Sequence, residues 1–218
     1  MTMMTKLCME GLTLRTSGLT RVDDVSAEVL PASLVAIVGA NGSGKSSLLD
    51  LMAGVTKPTS GQISLNGQPL RSISPDRLAL QRAWLSQTTL GGEAYLVREV
   101  IAWGRGRAKD DELTRASVDA LAGTLGLTEL LTVPLGRLSG GERQRANLAR
   151  IWLQDAPLTL LDEPDASLDS EGRKLLHQLI GQKRDRGHAI VIVTHDHEWA
   201  RASADHIWVM NHGARTEQ

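Results

Sequence analysis

Short apolar runs that stop at glycine or acidic residues recur along this chain, with helix-period patterns between them. Leu34–Val38 has no polar side chain and ends at Gly39, the pattern of a strand buried on both faces. Residues 47–53 leave a glycine loop, and Leu48, Leu49, Leu51 and Met52 form a helical core face. Residues 62–66 alternate like a half-exposed strand and meet Gly67. Leu158–Asp162 and 189–194 read as two more buried strands, 84–87 closes another, and 206–210 reads as the last. Thr159 interrupts its strand; it is β-branched and its hydroxyl can bond back to the local backbone, so little effect is expected. From about 90 to 155 the alternation lapses. There 96–103, 111–125 and 141–153 carry helical patterns, and no stretch reads as a strand. Strands alternating with helices predict an α/β fold with a mostly parallel sheet, interrupted by a helical insertion. Fewer than ten residues follow the last strand read, so no appended regulatory domain is expected.

Composition narrows the class. An apolar share of 41% supports a sizeable core, and a formal net charge of −1 leaves no nucleic-acid footprint. The one cysteine, Cys8, cannot form an internal disulfide, which fits a reducing compartment. Met1-Thr2-Met3-Met4-Thr5 lacks the apolar run of a signal peptide, and no run approaches the length of a membrane span.

Two motifs carry chemistry. Gly39-Ala40-Asn41-Gly42-Ser43-Gly44-Lys45-Ser46 fits G-x-x-x-x-G-K-[ST] in full, between a predicted strand and a predicted helix. Glycines let backbone N–H groups turn around phosphate oxygens, and the helix N-terminus favours the same anion. Lys45 is placed for the β- and γ-phosphates and Ser46 for Mg²⁺, and Ser47 follows on the same helix. Ser139-x-x-Glu142 ahead of an apolar-periodic helix is a capping box. Gly140 and Gly141 inside it also offer N–H groups to an anion.

Leu138-Ser139-Gly140-Gly141-Glu142-Arg143-Gln144-Arg145 resembles the signature motif of the ATP-binding-cassette (ABC) ATPases. It sits between the phosphate loop and Asp162-Glu163, in the order that family uses. The resemblance runs from about residue 8 to 212. It implies a P-loop nucleoside triphosphatase core with an N-terminal antiparallel β portion. The whole chain, 1–218, would be one ABC ATPase domain, with 1–87 and 156–218 as core and 88–155 as helical subdomain. Asp162 would then hold Mg²⁺ with Ser46 and Gln87. Glu163 would act as general base, and His195 would bond the γ-phosphate; metal binding by His195 with His197 is the rival for that histidine. Ser139, Gly140, Gly141, Glu142 and Asp169 would complete the ATP site of an opposing subunit. Pro164-Asp165-Ala166-Ser167-Leu168-Asp169 resembles the family's D-loop, with Ala166-Ser167 where Ser-Ala is usual.

The family's adenine-stacking aromatic is missing. Its place falls near Thr16, and no Phe, Tyr or Trp precedes Trp84. Tyr95-Leu96-Val97-Arg98-Glu99-Val100-Ile101-Ala102-Trp103-Gly104-Arg105 is similar to the V-x-E-[LV]-x-x-x-G-R pattern of importers for iron chelates, haem and cobalamin. The resemblance therefore implies an ATPase subunit, peripheral on the cytoplasmic face of the cell membrane, that powers transport through separate membrane-spanning permease subunits. It would work as a sandwich dimer with a second copy of itself or a homologous ATPase. An extracytoplasmic substrate-binding protein would act through the permease, and no nucleic-acid partner is expected. Two alternatives stay open: a non-transport ABC ATPase acting on DNA or ribosomes, and the energising subunit of an exporter.

Overall fold

The computed structural model describes residues 5–87, 93–106 and 111–217. The N-terminal residues before Thr5, on which the missing signal-type run was read, and the stretches 88–92 and 107–110 of the expected helical insertion lie outside them.

In chain order the elements are β1 (Leu7–Thr16), β2 (Leu19–Val29), β3 (Leu34–Val38), α1 (Lys45–Ala53), β4 (Ser60–Leu65), β5 (Gln68–Pro69), α2 (Pro75–Gln81) and β6 (Arg82–Leu85). Then come α3 (Val97–Ala102), α4 (Glu112–Thr124), α5 (Gly140–Gln154), β7 (Leu158–Asp162), α6 (Ser170–Asp185), β8 (Ala189–Val193), α7 (His197–Ser203), β9 (His206–Asn211) and β10 (Ala214–Glu217).

Two sheets form. One is antiparallel in the order β2-β1-β4-β5; the other runs β10-β9-β3-β8-β7-β6. Within the second sheet β9, β3, β8 and β7 are parallel neighbours, and only β10 is known to run antiparallel, beside β9. β3, β7 and β8 are buried at every position, which explains their uninterrupted apolar sequences. One apolar cluster takes Leu7, Leu12, Val22 and Ile63 from the antiparallel sheet, Leu48, Leu49, Leu51 and Met52 from α1, and Ile37, Leu160, Val191 and Trp208 from the parallel sheet. The strands read from the sequence are present. β10 is an addition after the last strand expected.

One expectation is corrected. Thr159 is fully buried in β7, and its hydroxyl finds no hydrogen-bond partner, so it does not bond back to the local backbone. An extended strand turns its side chains perpendicular to the sheet, away from the strand's own carbonyls.

The chain divides into two compact units: residues 1–84, 156–163 and 180–218 in the first, 85–155 and 164–179 in the second. The first holds both sheets except Leu85, the last residue of β6. In the second, α3, α4 and α5 pack together, with Val97, Val100, Ile101, Leu148, Ile151 and Trp152 buried. The α3 end approaches α5 closely: a Cβ on Gly104 would run into the Arg150 carbonyl.

Candidate functional site

β3 delivers the chain into the loop 39–44. Gly39, Gly42 and Gly44 take φ of 148°, 77° and 105°, values that L side chains rarely adopt. A Cβ on Gly39 would run into the Met210 carbonyl, and one on Gly44 into the Arg21 carbonyl, so both positions need glycine twice over. α1 starts at Lys45 with no side-chain cap at Gly44, which leaves its first-turn N–H groups to an anion. Lys45 is buried. Its Nζ donates to the carbonyls of Gly39 at 2.9 Å and Ala40 at 3.1 Å, two of an ammonium's three donors.

At the next residue of α1, the Ser46 hydroxyl donates to Oδ1 of Asp162 at 3.1 Å. Asp162 ends β7 in register with Val193 of β8, at the carboxyl edge of the parallel strands where open α/β sheets bind ligands. Burial pushes its carboxyl up to about 6; the Ser46 hydrogen bond opposes this, and the charges of Glu163 and Asp50 add to it. Burial also raises Asp50. A buried carboxylate beside a hydroxyl, with further carboxylates nearby, is a hard-oxygen donor set that suits Mg²⁺.

Glu163 follows with φ 45°, in the left-handed region, and its N–H donates to the Val193 carbonyl at 3.0 Å. Its Oε1 lies 3.1 Å from Nε2 of His195, which emerges two residues past β8. The glutamate is largely covered and the imidazole is half exposed. The parallel register of β7 and β8 brings the two residues together across 32 positions. Asp196 caps α7 through the Trp199 N–H. Among the described residues no group of three or more His, Cys, Asp and Glu could hold a metal, which leaves His195 with His197 without a supporting ligand set.

Gln87, two residues past β6, belongs to the second unit. So does the segment at Ser139, where the capping box forms in full. The Ser139 N–H donates to Glu142 Oε2 at 2.8 Å, the Ser139 hydroxyl to the same oxygen at 2.7 Å, and the Glu142 N–H to Ser139 Oγ at 3.3 Å. The serine's hydroxyl and amide hold the Glu142 carboxyl below the usual glutamate range. Against this turn lies the loop 164–169. A Cβ on Gly141 would come within 3.0 Å of the Ser167 carbonyl, and Gln144 Nε2 donates to the Pro164 carbonyl at 2.9 Å. Asp169 caps α6, accepting the Gly172 N–H at 2.7 Å.

Sequence reasoning missed what stands behind the phosphate loop. Arg21 of β2 and Gly213 of the β9–β10 turn back it directly. The one available signal was a glycine after Asn211-His212, the composition of a hairpin turn.

The family described as ABC transporter matches residues 22–166. The hemin import ATP-binding protein HmuV of Streptomyces coelicolor is 37% identical over 93% of this chain and 74% of its own length. Those of Nocardia farcinica and Pseudomonas entomophila are 40% identical over 88% and 68%, and 36% identical over 95% and 84%. Among solved structures, an ATP-binding subunit of an ABC transporter superposes with a TM-score of 0.89 at 23% identity, covering 97% of this chain and 89% of that one. A dimeric ATP-binding cassette bound to ADP and Pi in a post-hydrolysis state gives 0.88 at 24% identity, covering 97% of each. These structures share the fold; the sequence relatives go further, and with them the chain belongs to the ABC transporter family as an ATP-binding subunit that hydrolyses ATP.

Proposed function

We propose that this chain is the nucleotide-binding subunit of an importer for hemin or a related metal chelate, acting through separate membrane-spanning permease subunits. The catalytic half rests on one observation, the Glu163–His195 contact one residue beyond the Ser46–Asp162 pair. The cargo half rests on relatives named for hemin import over nearly the whole chain. α3 supports it: the Leu96 N–H donates to Glu99 Oε2 at 2.8 Å, so the glutamate of the importer-like segment starts that helix. Just outside it the exposed rings of Tyr95 and Trp103 meet edge to face, their centroids 5.0 Å apart. Among the described residues no helix is long and apolar enough to cross a membrane, and the proposal assigns that task to the permease. The subunit would then sit peripherally on the membrane's cytoplasmic face, with a substrate-binding protein on the other side.

The phosphates of ATP lie in the loop of Gly39, Asn41, Gly42, Ser43 and Gly44, against the first turn of α1 with Lys45 and Ser47. Ser46 and Asp162 would hold Mg²⁺, which when bound neutralises charge on the β- and γ-phosphates. Glu163 accepts a proton from water as the water oxygen bonds to the γ-phosphorus and the bond to the bridging oxygen of ADP breaks. His195 holds the Glu163 carboxylate in place and reaches the γ-phosphate from the same edge. Ser139, Gly140, Gly141, Glu142 and Asp169 meet the nucleotide of a second copy, so that two ATPs close a dimer and hydrolysis releases it. Gln87 relays that change into the helical subdomain.

Glu163→Gln and His195→Ala test the catalytic reading. Turnover should fall by about 10²–10⁴, the range for a lost general base, while ATP binding persists. Near-normal hydrolysis by both would overturn it. Glu163→Gln with ATP should also form dimers by light scattering. No dimer there, together with activity linear in enzyme concentration, would overturn the two-copy site. For cargo, the subunit reconstituted with its permease should transport hemin, and uptake of an unrelated solute alone would remove that half.

A further inference from the structure

The β9–β10 turn is a two-residue hairpin loop. Asn211 pairs with Ala214, and the central residues His212 and Gly213 take φ of 46° and 87°, the conformation of a type I′ turn. The hairpin is clasped by Arg215, whose guanidinium stacks over Trp208 at 5.1 Å. Three contacts join it to the phosphate loop and to β2. The Gly213 N–H donates to the Ser43 carbonyl at 2.9 Å, and the Gly213 carbonyl accepts the Asp23 N–H at 2.9 Å. The missing Cβ of Gly44 faces Arg21 and comes within 3.5 Å of Gly213 Cα.

A trans peptide is planar, so the Ser43 carbonyl and the Gly44 N–H point in opposite directions. Holding that carbonyl on Gly213 turns the Gly44 amide away from the hairpin. Gly44, at φ 105°, lacks the side chain that would otherwise restrict rotation of this peptide. We propose that the His212–Gly213 turn is a positioning device for ATP, locking the Ser43–Gly44 peptide so that its N–H faces the nucleotide's phosphates. Gly213 is therefore a positioning residue that acts through Ser43. The inference rests on reading residues 39–46 as the loop that holds those phosphates.

The molecule contains its own control. The Asn66–Gly67 turn between β4 and β5 has the same form, with φ of 55° and 77°, and a Cβ on Gly67 would meet open space. Gly213→Ala and Gly67→Ala should both lower Tm, because each forces alanine into a left-handed backbone. Only Gly213→Ala should raise the Kd for ATP, by about five-fold, the ratio that a hydrogen bond of roughly 1 kcal/mol corresponds to. Its kcat at saturating ATP should stay within about two-fold, since the lost contact is uniform binding. Gly213→Asn has the same backbone N–H and tolerates the positive φ better than alanine, so its Kd should fall between those of the parent and Gly213→Ala, its Cβ still meeting the Arg21 carbonyl at 3.2 Å. Equal ATP affinity in Gly213→Ala and Gly67→Ala would overturn the proposal.

Hydrogen exchange on the unaltered chain serves should Gly213→Ala not fold. Adenylyl imidodiphosphate with Mg²⁺ should slow exchange in the peptide covering 211–217, since coupling between the two places is reciprocal. Unchanged exchange there would overturn the proposal as well. Lys45→Ala separates the two readings: if it keeps full ATP affinity, the phosphate-loop assignment fails, whatever the hairpin does.

Discussion

Thr159→Val should make this protein more stable, by an amount that follows from one unbonded atom. The hydroxyl of Thr159 is buried in β7 with no partner, while its backbone pairs in parallel register with Ile190. Leaving a buried hydroxyl unbonded costs about 1–3 kcal/mol. Valine keeps the branched shape, puts a methyl where the oxygen lies, and leaves the strand ladder untouched. Allowing for imperfect fit of the methyl, the net gain is about 1–2 kcal/mol. For a chain of this size that raises Tm by roughly 2–8 °C. Thermal unfolding followed by circular dichroism measures it, and the urea midpoint gives a second reading. Thr159→Ser keeps the hydroxyl and removes the methyl, and should fall below the parent by about 1 kcal/mol. A valine variant no more stable than the parent would refute the claim that this oxygen is unsatisfied.

Gly104→Ala should destabilise the second unit by about 1–3 kcal/mol, because the new methyl meets the Arg150 carbonyl; a Tm equal to the parent's would show that α3 and α5 can part without cost. Ser139→Ala should raise the Glu142 pKa toward the ordinary glutamate value, as a carboxyl titration by NMR would read. A depressed native pKa stabilises above the unfolded value and ceases to do so as pH falls through the native one. The Tm difference between this variant and the parent should therefore be present at neutral pH and shrink below the usual glutamate range; a pH-independent difference contradicts it. ATP and GTP should bind with similar Kd, since no aromatic side chain precedes Trp84 to stack on a base; a large preference for ATP would point to another base contact.

What the sequence disclosed depends on how local each feature is. β3, β7 and β8 were legible because burial on both faces leaves an unbroken apolar run. The loop 39–46 was legible because its geometry demands glycine at fixed spacing. β1 and β2 were not drawn residue by residue. Their pairing shifts register after Met9, Leu12 and Leu14, and each shift breaks the two-residue period. α6 escaped notice because its sequence, SEGRKLLHQLIGQKRD, is mostly polar, although Asp169 ahead of it is a legible N-cap residue. Contacts between distant residues were legible only as motifs. Ser46 and Asp162 are 116 residues apart, and nothing local to either announces their hydrogen bond. Glu163 and His195 had been assigned separate tasks, and their contact follows from the β7–β8 register, which a single sequence does not display.

The left-handed backbone at Glu163 sets two selective pressures against each other. At φ 45° any side chain with a Cβ is strained, and glycine would relax the turn while deleting the carboxylate. Heat resistance and turnover therefore favour different residues at this single position. A search for thermostable variants, with no activity screen beside it, would drift toward an inert subunit here. Glutamine carries the same backbone strain as glutamate, so the fold of Glu163→Gln is matched to the parent's, and any difference in rate belongs to the chemistry alone.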